Sequence, residues 1–209
     1  MRKTLIFDFD GTIADSIPQL IETIAEIVPG TTREFLEREE SVYLLDSKFW
    51  YFIKEFRLRE LKLLMMAKAI KKRFAKRIPT LKPFRGISEV LAQLKSAGAR
   101  LVILSSSSKP AIEEFLKNNS INIFDEVHGD TSIFGKSEEI KKIVRSDEEV
   151  YYIGDEIRDI AASRNAGCRT VAVTWGFSTR KEFESAKPDL VFDNPEDLGQ
   201  LTKNDLFKM

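Results

Sequence analysis

The chain has 209 residues, 43% of them apolar and 32% charged, with 33 Lys plus Arg against 33 Asp plus Glu. That length and apolar content suit a soluble domain with a real core, alone or with a smaller insert, and the even charge steers it toward neither nucleic acid nor membrane. One cysteine, Cys168, excludes an internal disulfide, and with one histidine, His128, it leaves any metal to oxygen ligands, which favours magnesium or a similar hard cation.

The first element predicted is a strand over TLIFDF, residues 4–9. Asp8 interrupts its apolar run too early for a signal peptide, and no apolar run reaches the roughly 18 residues a bilayer span requires, so a cytoplasmic location is expected. Asp8 and Asp10 stand two apart, which in a strand puts both side chains on one side. Two like charges there repel unless a cation, a shared proton or a substrate offsets them.

From Ser16 to Pro79 only helical periodicity follows. Ile17 to Val28 reads as a helix introduced by Asp15 and Ser16 and stopped by Pro29-Gly30; Thr31 to Glu40 and Asp46 to Leu58 read as two more. Arg59 to Arg77 reads as the last, with Leu63, Met66, Ile70 and Phe74 along one face. Nine basic residues against one acid, Glu60, lie between Arg57 and Arg77, and Lys68, Lys72 and Lys76 recur opposite the apolar stripe as a solvated face. The segment 16–79 thus forms a helical insert after the first strand, and the core comprises 1–15 and 80–209. An insert springing from the carboxyl end of a strand is placed to act as a lid, because ligands of open α/β sheets bind at that edge. Lys48, Trp50, Lys54 and Arg57 are its candidate substrate contacts.

Beyond Pro79 the rhythm changes to helices alternating with apolar strands: RLVIL (100–104), EVYYI (149–153), RTVAV (169–173) and DLVF (189–192). This pattern predicts an α/β fold, a Rossmann-like parallel sheet covered by helices on both faces. Pro110 is expected to open one of those helices at its first position, with Ser107 or Ser108 as the cap. His128 is expected at a strand end or on the surface, Cys168 in the core, and Trp175 as packing.

Parallel strands bring their carboxyl ends to one edge. Asp8 and Asp10, Ser105, and Asp155 with Asp159 in GDEIRD should converge there, with Lys136 arriving ahead of a helix. Three acids at one edge call for a divalent cation, and a lysine and a serine beside them could hold a phosphoryl group. In outline this is a phosphoryl-transfer site with a carboxylate nucleophile. Gly135-Lys136-Ser137 also suggests a P-loop, but Gly129 stands one residue too far upstream for that motif.

These residues resemble the signatures of the haloacid dehalogenase superfamily. Its DxDGT motif stands as Asp8-Phe9-Asp10-Gly11-Thr12, its strand-ending serine or threonine as Ser105, its lysine as Lys136, and its GDxxxD as Gly154 to Asp159. All four occur in the family's order, with the insert where a type-1 helical cap belongs. Ser137 departs from the pattern, standing where a proline commonly follows the lysine. DGTIADSIPQL and VAVTWGFS look most like the phosphoglycolate phosphatase branch.

The resemblance implies a magnesium-dependent phosphatase acting on a small phosphomonoester through an aspartyl-phosphate. Asp8 would be the nucleophile and Asp10 the general acid and base; Ser105 and Lys136 would grip the phosphoryl oxygens. Mg2+ would sit on the Asp8 carboxylate, the Asp10 backbone carbonyl and the Asp155 carboxylate, and Asp159 would orient Lys136 or a metal-bound water. An aspartate at position 10 favours phosphate esters over the dehalogenase and phosphonatase chemistries of the same family. The alternatives are a phosphomutase, a nucleotide or nucleic-acid phosphatase using the basic helix, and a non-catalytic binding protein. The partner expected is a small phosphorylated metabolite, with no membrane and no nucleic acid; the oligomeric state is open.

Overall fold

A computed structural model of the chain describes residues 2–28, 60–132, 135–145 and 148–203. The chain divides into two compact units, Met1–Asp15 with Pro79–Met209, and Ser16–Ile78.

The larger unit is built on a six-stranded sheet. Its strands are β1 (Arg2–Phe7), β2 (Arg100–Leu104), β3 (Glu126–His128), β4 (Glu148–Gly154), β5 (Arg169–Val173) and β6 (Leu190–Phe192). They lie in the order β3-β2-β1-β4-β5-β6, and every neighbouring pair is parallel. β1 is therefore central, flanked on both sides, and its Leu5, Ile6 and Phe7 are fully buried. Such two-sided burial is why these strands read as continuous apolar runs rather than alternating ones.

Six helices belong to the two units' described α-helical inventory between β1 and β5: α1 (Ile17–Ile27), α2 (Glu60–Ala75), α3 (Ile87–Ser96), α4 (Lys109–Asn118), α5 (Lys136–Ile143) and α6 (Ile157–Asn165); α7 (Arg180–Ala186) follows β5. On one face of the sheet Ile6, Val102, Leu104, Val150 and Tyr152 pack with Ile140 and Ile143 of α5 and with Cys168. Cys168 is thus a core residue, and burial pushes its thiol up to about 11. Phe7, the last residue of β1, meets Phe124 edge-to-face at 6.1 Å, and past the strand's end Phe9 meets Phe115 of α4 in the same way at 5.0 Å.

Register aligns the carboxyl ends: Phe7 lies opposite Ile103 on one side and Ile153 on the other. Asp8, Ser105 and Asp155 consequently leave the sheet at the same edge. The β1–β4 ladder continues one step further, because the Asp8 N–H donates to the Ile153 carbonyl at 2.8 Å.

In the smaller unit α1 and α2 pack through Ile21, Ile24 and Val28 against Met66 and Ile70. Arg77 ties the pair together, reaching Glu26 at 2.6 Å and Thr23 Oγ1 at 2.8 Å. Lys68, Lys72 and Lys76 are exposed. The expected helices at 31–40 and 46–58, and the candidate contacts Lys48, Trp50, Lys54 and Arg57, lie outside the described residues, as does the Leu63 side chain.

Several local expectations need correction. Ser16 stands at the N-cap of α1 but makes no side-chain cap bond. α4 begins at Lys109, so Pro110 is its second residue, and Ser108 at the N-cap also makes no side-chain cap bond. The α4 N-terminus is capped from a distant loop instead: Lys109 N–H donates to Asp130 Oδ2 at 3.2 Å. The short edge strand β3 was not signalled by the sequence, because Glu-Val-His carries no apolar run. His128 does end that strand, with Nε2 2.9 Å from Glu126 Oε2.

Candidate active site

At the carboxyl edge of the sheet the side chains are held by near neighbours in sequence and by residues brought in from other strand ends and helix starts. Asp8 follows β1 directly, and its Oδ1 accepts the N–H of Phe9 at 2.7 Å. Its Oδ2 accepts from Lys136 Nζ at 2.8 Å, and the same ammonium donates to Asp159 Oδ1 at 2.6 Å. Lys136 is the first residue of α5. Its ammonium also lies over the Tyr152 ring, 5.4 Å from the centroid.

Asp159 is the third residue of α6 and belongs to a capping box there, its Oδ2 accepting the Glu156 N–H at 3.3 Å. It therefore does two jobs, fixing the helix start and holding Lys136. Gly154, which ends β4, leaves no room for a side chain: a Cβ there would overlap the Asp159 carboxylate.

Asp155 is fully buried and bound on both oxygens. Thr12 Oγ1 donates to Oδ1 at 2.7 Å, and the Phe177 N–H donates to Oδ2 at 2.9 Å. The close approach of three segments explains two glycines. A Cβ on Gly11, where φ is 74°, would overlap Asp155 Oδ2, and one on Gly176 would overlap both the Asp155 Cβ and the Gly11 carbonyl oxygen. Trp175 fastens the same seam, its indole N–H donating to the Thr12 carbonyl at 3.1 Å.

Ser105 is buried, and its Oγ accepts the N–H of Ser107 at 3.1 Å. Ser107 Oγ in turn donates to Asp10 Oδ2 at 2.6 Å. Ser107 thus serves Asp10 rather than the start of α4.

The electrostatics follow from this burial. Among the described residues, the acidic side chains of Asp8, Asp155 and Asp159 offer oxygens all within 4.8 Å of one another. Burial, then the charges of Asp8 and Asp159, push Asp155 well above the ordinary carboxylate range. Asp159 is raised by burial too, with Lys136 opposing the shift. Burial alone would lower Lys136, but Asp159 and Asp8 hold it well above its usual value, so it stays charged. One ammonium among this many carboxylates leaves a negative surplus that a divalent cation suits, and oxygen-only donors fit a hard one. The Asp10 carboxylate is not a member of that cluster; its expected share in metal binding is through the backbone carbonyl.

The structure brings together at one edge all the candidates expected there: Asp8 and Asp10, Ser105, Lys136, Asp155 and Asp159. Two participants, Thr12 and the Phe177 N–H, had no expected role, and a third, Ser107, was expected as a cap of α4 and instead holds Asp10. Thr12 lies inside the quoted DxDGT motif and Phe177 inside VAVTWGFS, so both were visible as letters while their partner Asp155 was not.

Comparison with known proteins agrees with this architecture. The sequence profile of the haloacid dehalogenase-like hydrolases matches residues 5–173. The chain belongs to that family. It is 31% identical over 203 residues to the phosphoglycolate phosphatase of Synechococcus elongatus, covering 95% of this chain and 96% of that one. It is 28% identical over 123 residues to the pyrophosphatase PpaX of Bacillus mycoides, covering 55% of this chain and 57% of the relative. Its fold matches a haloacid dehalogenase-like family hydrolase from Streptococcus pneumoniae with a TM-score of 0.76 at 19% identity, over 97% of this chain and 99% of that one.

Proposed function

We propose that this protein is a magnesium-dependent phosphatase that hydrolyses a small phosphomonoester through a phosphoryl group carried on Asp8. The observation that supports it most is Lys136, whose buried ammonium bridges Asp8 and Asp159 beside Asp155. A lysine in a nest of acids is a poor structural choice unless the charges serve chemistry, since burying them costs several kcal/mol per ion in order of magnitude.

In this reading the Asp8 carboxylate attacks phosphorus and the Asp10 carboxyl protonates the departing ester oxygen. Asp10 then takes a proton from the water that hydrolyses the aspartyl-phosphate. Asp8 and Asp159 each accept from the Lys136 ammonium and so hold it where it would meet a phosphoryl oxygen. The Ser105 hydroxyl accepts from Ser107 and keeps its own hydrogen for a second phosphoryl oxygen.

A metal fits this donor set. Asp8 and Asp155 would hold it by carboxylate, with the Asp10 carbonyl contributing, while Asp159 is engaged by Lys136 and the helix start. Bound Mg2+ would supply Lewis-acid stabilisation of the charge that gathers on the phosphoryl oxygens. The helical unit Ser16–Ile78 is proposed as the cap that selects the ester's organic group.

The phosphoglycolate phosphatase relative makes phosphoglycolate the first substrate to try, beside sugar phosphates, nucleotides, an aryl phosphate and pyrophosphate. Phosphate release from this panel should require Mg2+ and should vanish in Asp8→Asn. Turnover that survives Asp8→Asn, or folded protein inert toward every ester, would contradict the reading.

A further inference from the structure

Ser107 stands where three interactions meet. Its Oγ donates to Asp10 Oδ2 at 2.6 Å, its N–H donates to Ser105 Oγ at 3.1 Å, and its carbonyl accepts the Asp130 N–H at 2.7 Å. The side chain is buried, 7% exposed, although serine is an ordinary surface residue. Asp10 comes from the turn after β1 and Ser107 from the loop after β2, so this hydroxyl joins two strand ends.

The loop that carries Ser107 is itself braced. The Thr131 N–H donates to the Ser105 carbonyl at 3.1 Å, while Asp130 caps α4 through Lys109. Asp130 holds a left-handed backbone, φ 57°, which costs a non-glycine residue about 1 kcal/mol or more. Gly129 lies so close to Lys109 that a Cβ would overlap its backbone. A strained, close-packed loop of this kind gives Ser107 a fixed seat, which is what orienting another side chain requires.

We propose that Ser107 is a positioning residue for Asp10. Its hydroxyl fixes Oδ2 and so assigns the transferable proton to Oδ1. The inference rests on the reading of Asp10 as acid and base given above. In the first step an Asp8 oxygen bonds phosphorus, the bond from phosphorus to the ester oxygen breaks, and the proton on Asp10 Oδ1 moves to that oxygen. In the second a water oxygen bonds phosphorus, the bond from phosphorus to Asp8 breaks, and the water's proton returns to Asp10.

The need for that proton depends on the leaving group. An alkoxide departs poorly without it, whereas 4-nitrophenolate departs unaided. A mispositioned Asp10 therefore penalises alkyl esters selectively, while general damage to the site penalises both. The ratio of kcat/KM for the best alkyl phosphate to that for 4-nitrophenyl phosphate separates the two cases, because kcat/KM covers steps only through departure of the alcohol.

Asp10→Asn supplies the reference pattern, and Ser107→Ala should show a milder form of it. The expected loss in Ser107→Ala is about tenfold or more on the alkyl ester, a part of the roughly 10²–10⁴-fold a general acid contributes, and about twofold or less on the nitrophenyl ester. Ser107→Thr, which keeps a hydroxyl, should restore the wild-type ratio. Equal losses on both esters in Ser107→Ala, or none on either, would overturn the inference and leave the phosphatase reading standing if Asp10→Asn is selective. Wild-type protein that turns over neither ester would bring down both.

Discussion

Asp155 concentrates the physical problem of the site. Its carboxylate is fully buried beside two other acids, and two donors, the Thr12 hydroxyl and the Phe177 N–H, take one oxygen each. Those bonds orient the group and favour its charged form, opposing the burial that raises its pKa. Hydrogen bonds to a metal's ligands typically change metal affinity ten- to a hundredfold, so Thr12→Val, which keeps the shape and removes the donor, should raise the Mg2+ concentration needed for half-maximal activity by about tenfold. The unsatisfied oxygen should also cost about 1–3 kcal/mol of stability in the metal-free protein. A magnesium titration of activity and a denaturant melt would check both, and an unchanged titration would remove Thr12 from the metal's surroundings.

The elements differ in how plainly the sequence announces them. β1, β2, β4 and β5 are buried on both faces over their carboxyl-terminal parts and so carry the continuous apolar runs LIF, LVIL, VYYI and VAV. Once those runs alternate with helices, the parallel sheet and the edge where Asp8, Ser105 and Asp155 meet follow from topology alone. β3 escapes because an edge strand of three half-buried residues has no pattern to show. Helix starts were read less well, for a tertiary reason. A serine before Pro110 has the right chemistry for a cap, yet the donor there is claimed by Asp130 across the loop, and Ser107 is drawn to Asp10. Nor does spacing disclose that Trp175, Gly176 and Phe177 meet the Thr12 and Asp155 segments, since that contact depends on how the loop after β5 folds back. Residues acting by their own chemistry were legible, as was Asp159, whose motif implied its hold on Lys136; Thr12, Ser107 and Phe177, which hold other residues outside any such motif role, were not.

For the molecule as a whole, an evenly balanced total charge hides a local negative surplus at the buried end of the sheet. Among the described residues no helix is long and apolar enough to cross a membrane. Asp155 is held well above its ordinary value of 3.8 by burial first and then by Asp8 and Asp159. Because the folded pKa is raised, the folded chain binds this proton more tightly than the unfolded chain. The associated stability is fully present below the unfolded value and is lost as pH rises through the folded one. A bound divalent cation competes with that proton and relieves the same repulsion. The Tm increase caused by Mg2+ should therefore be larger at about pH 8 than at about pH 5.5. Equal increases at the two values would show that Asp155 does not couple protons to metal.

The central claim is that Asp8 carries the phosphoryl group, and the most direct measurement is to catch it there. Protein mixed with Mg2+ and the best ester of the panel, quenched in acid during turnover and digested, should yield the peptide containing Asp8 with the added mass of one phosphoryl group. Fragmentation should place that mass on Asp8, and Asp8→Asn treated alike should lack it. A phosphorylated peptide from elsewhere in the chain, or rapid turnover with no labelled peptide in a quench shown to preserve aspartyl-phosphates, would contradict the account.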